Sequence, residues 1–271
     1  MLQTPQQNER LEYIPVPGSD PCKQIRIVFP GSTAGCTLAE TKRAVGLHAC
    51  LSREVDQSTN LKLALDRKQR FGIAAALAWA VLYLCDSPWL EQVLRDEDIH
   101  LFLEEETPMS LPHLSKHPYL SYDFQSPIAQ SDSASRVANP AAQFQNNQIQ
   151  NITLYNLAIR LIELGLNKPF DRLRREYRAA ISTDTSPHDA AAPSPVEDFN
   201  IAKDQIEELM LDSSMSYAYA VDRCLSFLFP GPPARNTFEY GPFRKAFFED
   251  VIAPIQAVFD LIPASASQLS P

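Results

Sequence analysis

Acidic side chains gather twice in one short stretch, as Asp96-Glu97-Asp98 and as Glu104-Glu105-Glu106, with Asp123 farther along. Carboxylate oxygens suit magnesium and suit a basic protein partner, and a plain solvated acidic edge has the same composition. His113 and His117 stand four apart, a spacing that on a helix would turn two imidazoles toward one metal. Pro112 and Pro118 bracket them and no Glu completes a His-Glu-x-x-His pattern, so they read as loop histidines. Phe29-Pro30-Gly31-Ser32-Thr33-Ala34-Gly35-Cys36-Thr37 lies between a strand pattern and a helix pattern, the setting in which backbone amides cradle phosphate. It lacks the lysine of a P-loop, which favours an ordinary turn. No Ser, His and Asp set stands in a nucleophile-elbow context, so a hydrolase has no positive support. Ser186-Pro187 and Ser194-Pro195 read as part of a linker open to modification, and a phosphate there would suit arginines such as Arg172 to Arg175.

The elements that must position these residues are mostly helical. Ile25 to Phe29 reads as a short strand ended by Pro30-Gly31. Leu38 to Val55 places Ala44, Leu47, Leu51 and Val55 at helical intervals, and the turn Asp56 to Asn60 closes that helix. Leu61, Leu63 and Leu65 then alternate into Asp66, a candidate cap for the next helix. That helix, Arg67 to Cys85, is apolar almost all round through Phe71, Ile73, Ala74, Leu77, Ala78, Val81, Leu82 and Leu84. A helix without a wet face belongs in the middle of a domain. Ile152 to Leu166 is a second of this kind, interrupted mainly by Arg160 and Glu163. Around them, Phe199, Ala202, Ile206 and Leu209 share one helical face, and Tyr217, Val221, Cys224 and Leu228 share another. Phe243 to Val251 is amphipathic, and Pro254 should break or kink the chain before Ile255 to Ile262. The surface aromatic candidates Tyr217, Tyr219, Phe247 and Phe248 would anchor a partner if exposed, but their helical spacing sends most of them to the core. Two long polar loops, Ser126 to Gln150 and Thr183 to Pro195, separate the helices.

Composition narrows the function classes. A chain of 271 residues, 45% of them hydrophobic, is long enough to bury one sizeable core. A formal charge of −9, with Lys and Arg scattered, argues against nucleic acid as a partner. The densest basic run, Arg172-Leu173-Arg174-Arg175, is flanked by Asp171 and Glu176 and reads as a solvated helix face. Five widely spaced cysteines without a Cys-x-x-Cys pair suit reduced thiols better than disulfides or zinc. The first ten residues form no signal peptide, and the longest strongly apolar run, Phe71 to Cys85, falls short of the roughly 20 residues of a membrane helix. A cytoplasmic protein without a membrane partner is therefore expected.

Four blocks carry a resemblance: Arg70-Phe71-Gly72-Ile73-Ala74 through Trp89-Leu90, Asp96-Glu97-Asp98-Ile99, Tyr119-Leu120-Ser121-Tyr122-Asp123-Phe124, and Leu157 to Leu164. A fifth, Tyr217 to Leu225, resembles a late helix of the same kind. Their order resembles the C-terminal lobe of a protein kinase. More narrowly, it is similar to an uncharacterised fungal family of degenerate kinase-like domains, found alone or behind an N-terminal HeLo-type helical domain. The resemblance implies a mainly α fold, a kinase C-lobe-like helical domain over residues 67–262. Residues 1–66 would supply a short strand and helix segment with little or no N-lobe, and residues 263–271 a disordered tail.

It also implies that kinase chemistry is lost. Phosphoryl transfer needs an Asp in a His-Arg-Asp loop, an Asn five residues later and an Asp-Phe-Gly segment. Registered on Ile99, Val93 stands where the catalytic Asp would, and Val93 can neither accept a proton nor bind metal. Asp98 falls on the Asn position and Asp123-Phe124-Gln125 is only loosely similar to Asp-Phe-Gly. Thr153 stands where the second buried helix would begin with Asp, and neither a glycine-rich loop nor a Val-Ala-Ile-Lys strand precedes the helices. The implied protein is no active kinase, has no catalytic residue, metal or cofactor, and binds an unknown protein partner rather than a nucleotide. A small-molecule binder or tailoring accessory of a fungal metabolic pathway, and a component of incompatibility or cell-death signalling, are the alternatives.

Overall fold

The computed structural model describes residues 11–15, 24–28, 40–56, 61–85, 90, 94, 98–105, 113–115, 118–120, 149–181, 194–231 and 237–263. Both long loops, except for Ile149, Gln150, Ser194 and Pro195, lie outside this set, as do residues 29–37 and the tail beyond Pro263. The fold is mainly helical with a small antiparallel sheet.

Strands β1 (Leu11–Pro15) and β2 (Gln24–Val28) form an antiparallel pair with Leu11 opposite Val28. The predicted Ile25 strand is thus present. The helix expected from Leu38 to Val55 is replaced by a strand, β3 (Glu40–Gly46), and one short helix, α1 (Leu47–Leu51). Pairing with β4 (Ile99–Glu105) overrides the local pattern, and the helical interval survives only where Leu47, Cys50 and Leu51 are buried. Val55 is exposed and bridges Lys62 in a turn closed by Asp56 N–H to Leu61 O. Leu63 and Leu65 are buried while Lys62 and Ala64 are exposed, as their alternation requires.

Helix α2 (Arg67–Leu84) begins with a reciprocal cap, in which the Asp66 carboxylate accepts from Gln69 N–H at 2.7 Å and Gln69 Oε1 accepts from Asp66 N–H at 3.0 Å. Helix α3 (Ile152–Leu166) is capped by Asn151, whose side chain accepts from Leu154 N–H at 3.0 Å. It is buried over most of its surface, Thr153 and Glu163 included. It ends on Asn167 in the left-handed conformation, φ 55°, which Asn tolerates at a helix end. Around α3 pack α2, α4 (Phe170–Ile181), α5 (Pro195–Asp212) and α6 (Met215–Ser226). The faces predicted for α5 and α6 are the ones turned inward, except that α6 stops at Ser226 and leaves Leu228 exposed.

Pro254 does not break the last helical stretch. Helix α7 (Gly241–Phe247) runs through a π-helical turn, Phe248–Ile252, into α8 (Ala253–Leu261). Ala253 N–H reaches Phe248 O five residues back, and this wider turn accommodates a proline that offers no N–H of its own.

Candidate functional site

Strand β4 lies at the centre of the small sheet. It pairs antiparallel with β3, with β5 (His113–Leu114) and with β6 (Tyr119–Leu120). Ile99, Leu101 and Leu103 point into the core, so His100 and Phe102 lie on the other face. Tyr119 pairs with His100 there, and its ring meets Phe102 edge-on at 4.4 Å. Asp98 stands half-buried in the turn that enters β4. Of the kinase-like positions only Asp98 lies within the described residues; Val93, Asp123 and Phe124 lie outside them. The chain enters the segment carrying Asp123 at Leu120, opposite Ile99.

Asp98 and Glu104 stand at opposite ends of β4, roughly 20 Å apart along the strand at about 3.3 Å per residue, and Asp96, Glu97 and Glu106 lie outside the described residues. His113 is in a strand opposite Glu104, so the helical four-residue spacing does not apply, and His117 lies outside the described residues. No cluster of three or more metal-binding side chains occurs among the described residues. No described helix is long and apolar enough to cross a membrane.

Basic side chains at the start of α2 have a different use, one that the sequence reading missed. Arg67 Nη2 donates to Asp212 O at 3.1 Å and to Ser213 O at 3.2 Å, at the end of α5. Lys68 Nζ donates to Ile262 O at 2.5 Å, just past α8, and lies over the Phe259 ring. Arg70 Nη1 donates to Leu164 O at 2.7 Å and Gly165 O at 2.9 Å, at the end of α3. Three helix ends leave carbonyls without intrahelical partners, and one turn of α2 serves all three. Close approach at this point needs Gly165, because a Cβ there would fall 2.4 Å from Leu209 Cδ2 and 2.9 Å from Tyr217 Cε1. Tyr217 is itself fixed, its hydroxyl donating to Leu161 O at 2.7 Å and its ring standing edge-on to Phe71.

Glu163 is the charged residue of α3 that burial makes most costly. Its Oε2 meets Arg160 Nη1 at 2.6 Å, and its Oε1 accepts from Phe170 N–H at 2.6 Å, which ties α3 to the first turn of α4. Farther along α4, Arg174 forks onto Asp198 with contacts of 2.7 and 3.0 Å. Arg178 forks onto Glu197 with two contacts of 2.7 Å. The Arg178 guanidinium holds the Glu197 carboxyl below its usual range. Arg172 and Arg175 face solvent as expected of the basic run, and with Glu176 and Ala179 they line an open depression of about 480 Å³. Arg174 is engaged with Asp171 and Asp198 instead.

The aromatic candidates divide evenly. Tyr217 and Phe247 are core, while Tyr219 and Phe248 are exposed. Helix α2, read as buried all round, also turns two aromatics outward. Tyr83 is 66% exposed and stacks on half-buried Trp79, whose ring lies 5.5 Å from that of Phe248. The four-residue spacing of Trp79 and Tyr83 carried this signal, since such residues share a helix face. Neither a curated protein nor a solved structure matches the chain. Residues 31–261 match a family profile described as a domain of unknown function, DUF7580. The match takes in most of the chain, from the segment before β3 to the end of α8, and the chain belongs to the DUF7580 family.

Proposed function

We propose that this chain is a kinase-like domain of a fungal regulatory or signalling protein, without phosphoryl-transfer chemistry, that works by binding another protein. The observation that carries the reading is the aromatic group Trp79, Tyr83 and Phe248, three large rings together at the surface where α2 meets the π-helical turn. Rings of this kind supply large contact area at low entropic cost and anchor protein interfaces. The kinase-like half of the reading draws support from the buried α3, from the helices packed round it, and from Asp98 at the head of β4. The loss of chemistry rests on Val93, which has no group to orient a substrate hydroxyl.

Two measurements test it. Melting with ATP, with and without magnesium, is expected to show no shift, and ATP turnover abolished by Asp98→Ala or Asp123→Ala would sink the inert half. Affinity capture should recover a reproducible partner that Tyr83→Ala with Phe248→Ala loses while the melting point holds. A partner retained in full by that double variant would remove the aromatic group from the interface.

A further inference from the structure

Helix α4 is attached in two different ways along its length. Its first turn is held by burial, since Phe170 and Leu173 are in the core and Phe170 N–H reaches the buried Glu163 carboxylate. From Arg174 to Ala180 no residue is buried. Tyr177 packs partly on the core, Glu176 meets Lys168 at 3.6 Å, and among the described residues the direct side-chain ties from this half to α5 are two forks, from Arg174 to Asp198 and from Arg178 to Glu197. The two arginines are four apart and so share one face of α4, while their carboxylates are neighbours in the first turn of α5. Exposure rises outward along the pairs, from 17% and 16% for Arg174 and Asp198 to 33% and 26% for Arg178 and Glu197. Tyr155 of α3 is buried and near enough to Asp198 and Arg174 to feel both charges.

We infer that the second half of α4 is a releasable flap: two arginine–carboxylate forks latch it to α5, and a loss of charge at the forks frees it while the core stays folded. Charged pairs near a surface weaken as salt rises, whereas the apolar contacts of Phe170 and Leu173 do not. The flap therefore opens from the Arg178 end, about a hinge fixed at Glu163 and Phe170. Opening uncovers Tyr155 and the adjoining surface of α3 and α5, so a change of charge at this corner becomes a change of accessible surface.

Hydrogen exchange of the full chain, read by mass spectrometry, tests the latch. Salt is raised from about 0.1 M to about 1 M, which shortens the screening length from roughly 10 Å to 3 Å. Amides beyond Arg174 in α4 should exchange about tenfold faster while those of α3 keep their protection. Arg174→Met with Arg178→Met retains the apolar stems and removes the charges. It should give the same acceleration at low salt and make Tyr155 open to nitration. Arg178→Glu combined with Glu197→Arg should restore the slow exchange that either change alone removes. Unchanged exchange in the methionine variant would show that packing holds the helix, and acceleration shared by α3 would show that α4 is no separate unit; either result overturns the inference.

Discussion

Basic side chains fasten helices in two parts of this molecule, and they do so against opposite kinds of partner. At the start of α2, Arg67, Lys68 and Arg70 donate to the end carbonyls of α5, α8 and α3. At the corner of α4 and α5, Arg174 and Arg178 meet carboxylates. A carbonyl cannot be protonated away in the accessible pH range, and the α2 junction is backed by packing at Gly165, Leu209 and Tyr217. A carboxylate can be neutralised, and its pairing near a surface is weakened by salt. The first arrangement makes a permanent junction and the second a conditional one.

The largest effect that could break this contrast is expected at Glu163. Replacing it with Ala leaves Arg160 without its carboxylate and Phe170 N–H without its acceptor, and breaking a buried pair in this way costs about 3–5 kcal/mol. Denaturant unfolding of Glu163→Ala measures it, and a loss under about 1 kcal/mol would place Glu163 among surface pairs. Next comes Gly165→Ala, expected to cost about 1–3 kcal/mol because Leu209 and Tyr217 are buried and have little room to move. A neutral result in the same assay would mean that the junction is looser than its distances imply.

The smallest effect belongs to the conditional side. Glu197 has a carboxyl pKa lowered by Arg178, so its contribution is present above the ordinary glutamate value of about 4.3 and is lost as pH falls through the lower folded value. The melting point of Glu197→Gln should therefore lie slightly below that of the unaltered protein near neutrality, and the gap should close below about pH 4. A gap that persists in acid would assign the role of Glu197 to its shape.

How much of this was legible in the sequence follows from the range of the forces involved. The boundaries of α2 and α3, their burial and the Asp66 cap depend on residues within one or two turns of each other, and local patterning is enough to find them. Strand β3 was missed because its ladder partner β4 lies more than fifty residues away, and pairing outweighed a helical interval. Ile99, Leu101 and Leu103 alternate with the period of a half-buried strand, a signal present in the sequence that the reading of this stretch as an acidic edge did not use. The candidate site was legible only in part: Asp98 is placed at the head of β4, whereas the aromatic group needed Phe248 from a distant element to join Trp79 and Tyr83.

Arg67, Lys68 and Arg70 show where the division falls. Three cations in the first turn of a helix oppose its dipole, so the sequence holds a departure from the usual helix start at α2 without stating its use. Only the tertiary structure decided what that is, because the carbonyls they satisfy belong to three helices whose ends lie between about 95 and 195 residues farther along the chain. Helix periodicity is a property of neighbours, but the meeting of helix ends is a property of the packed whole.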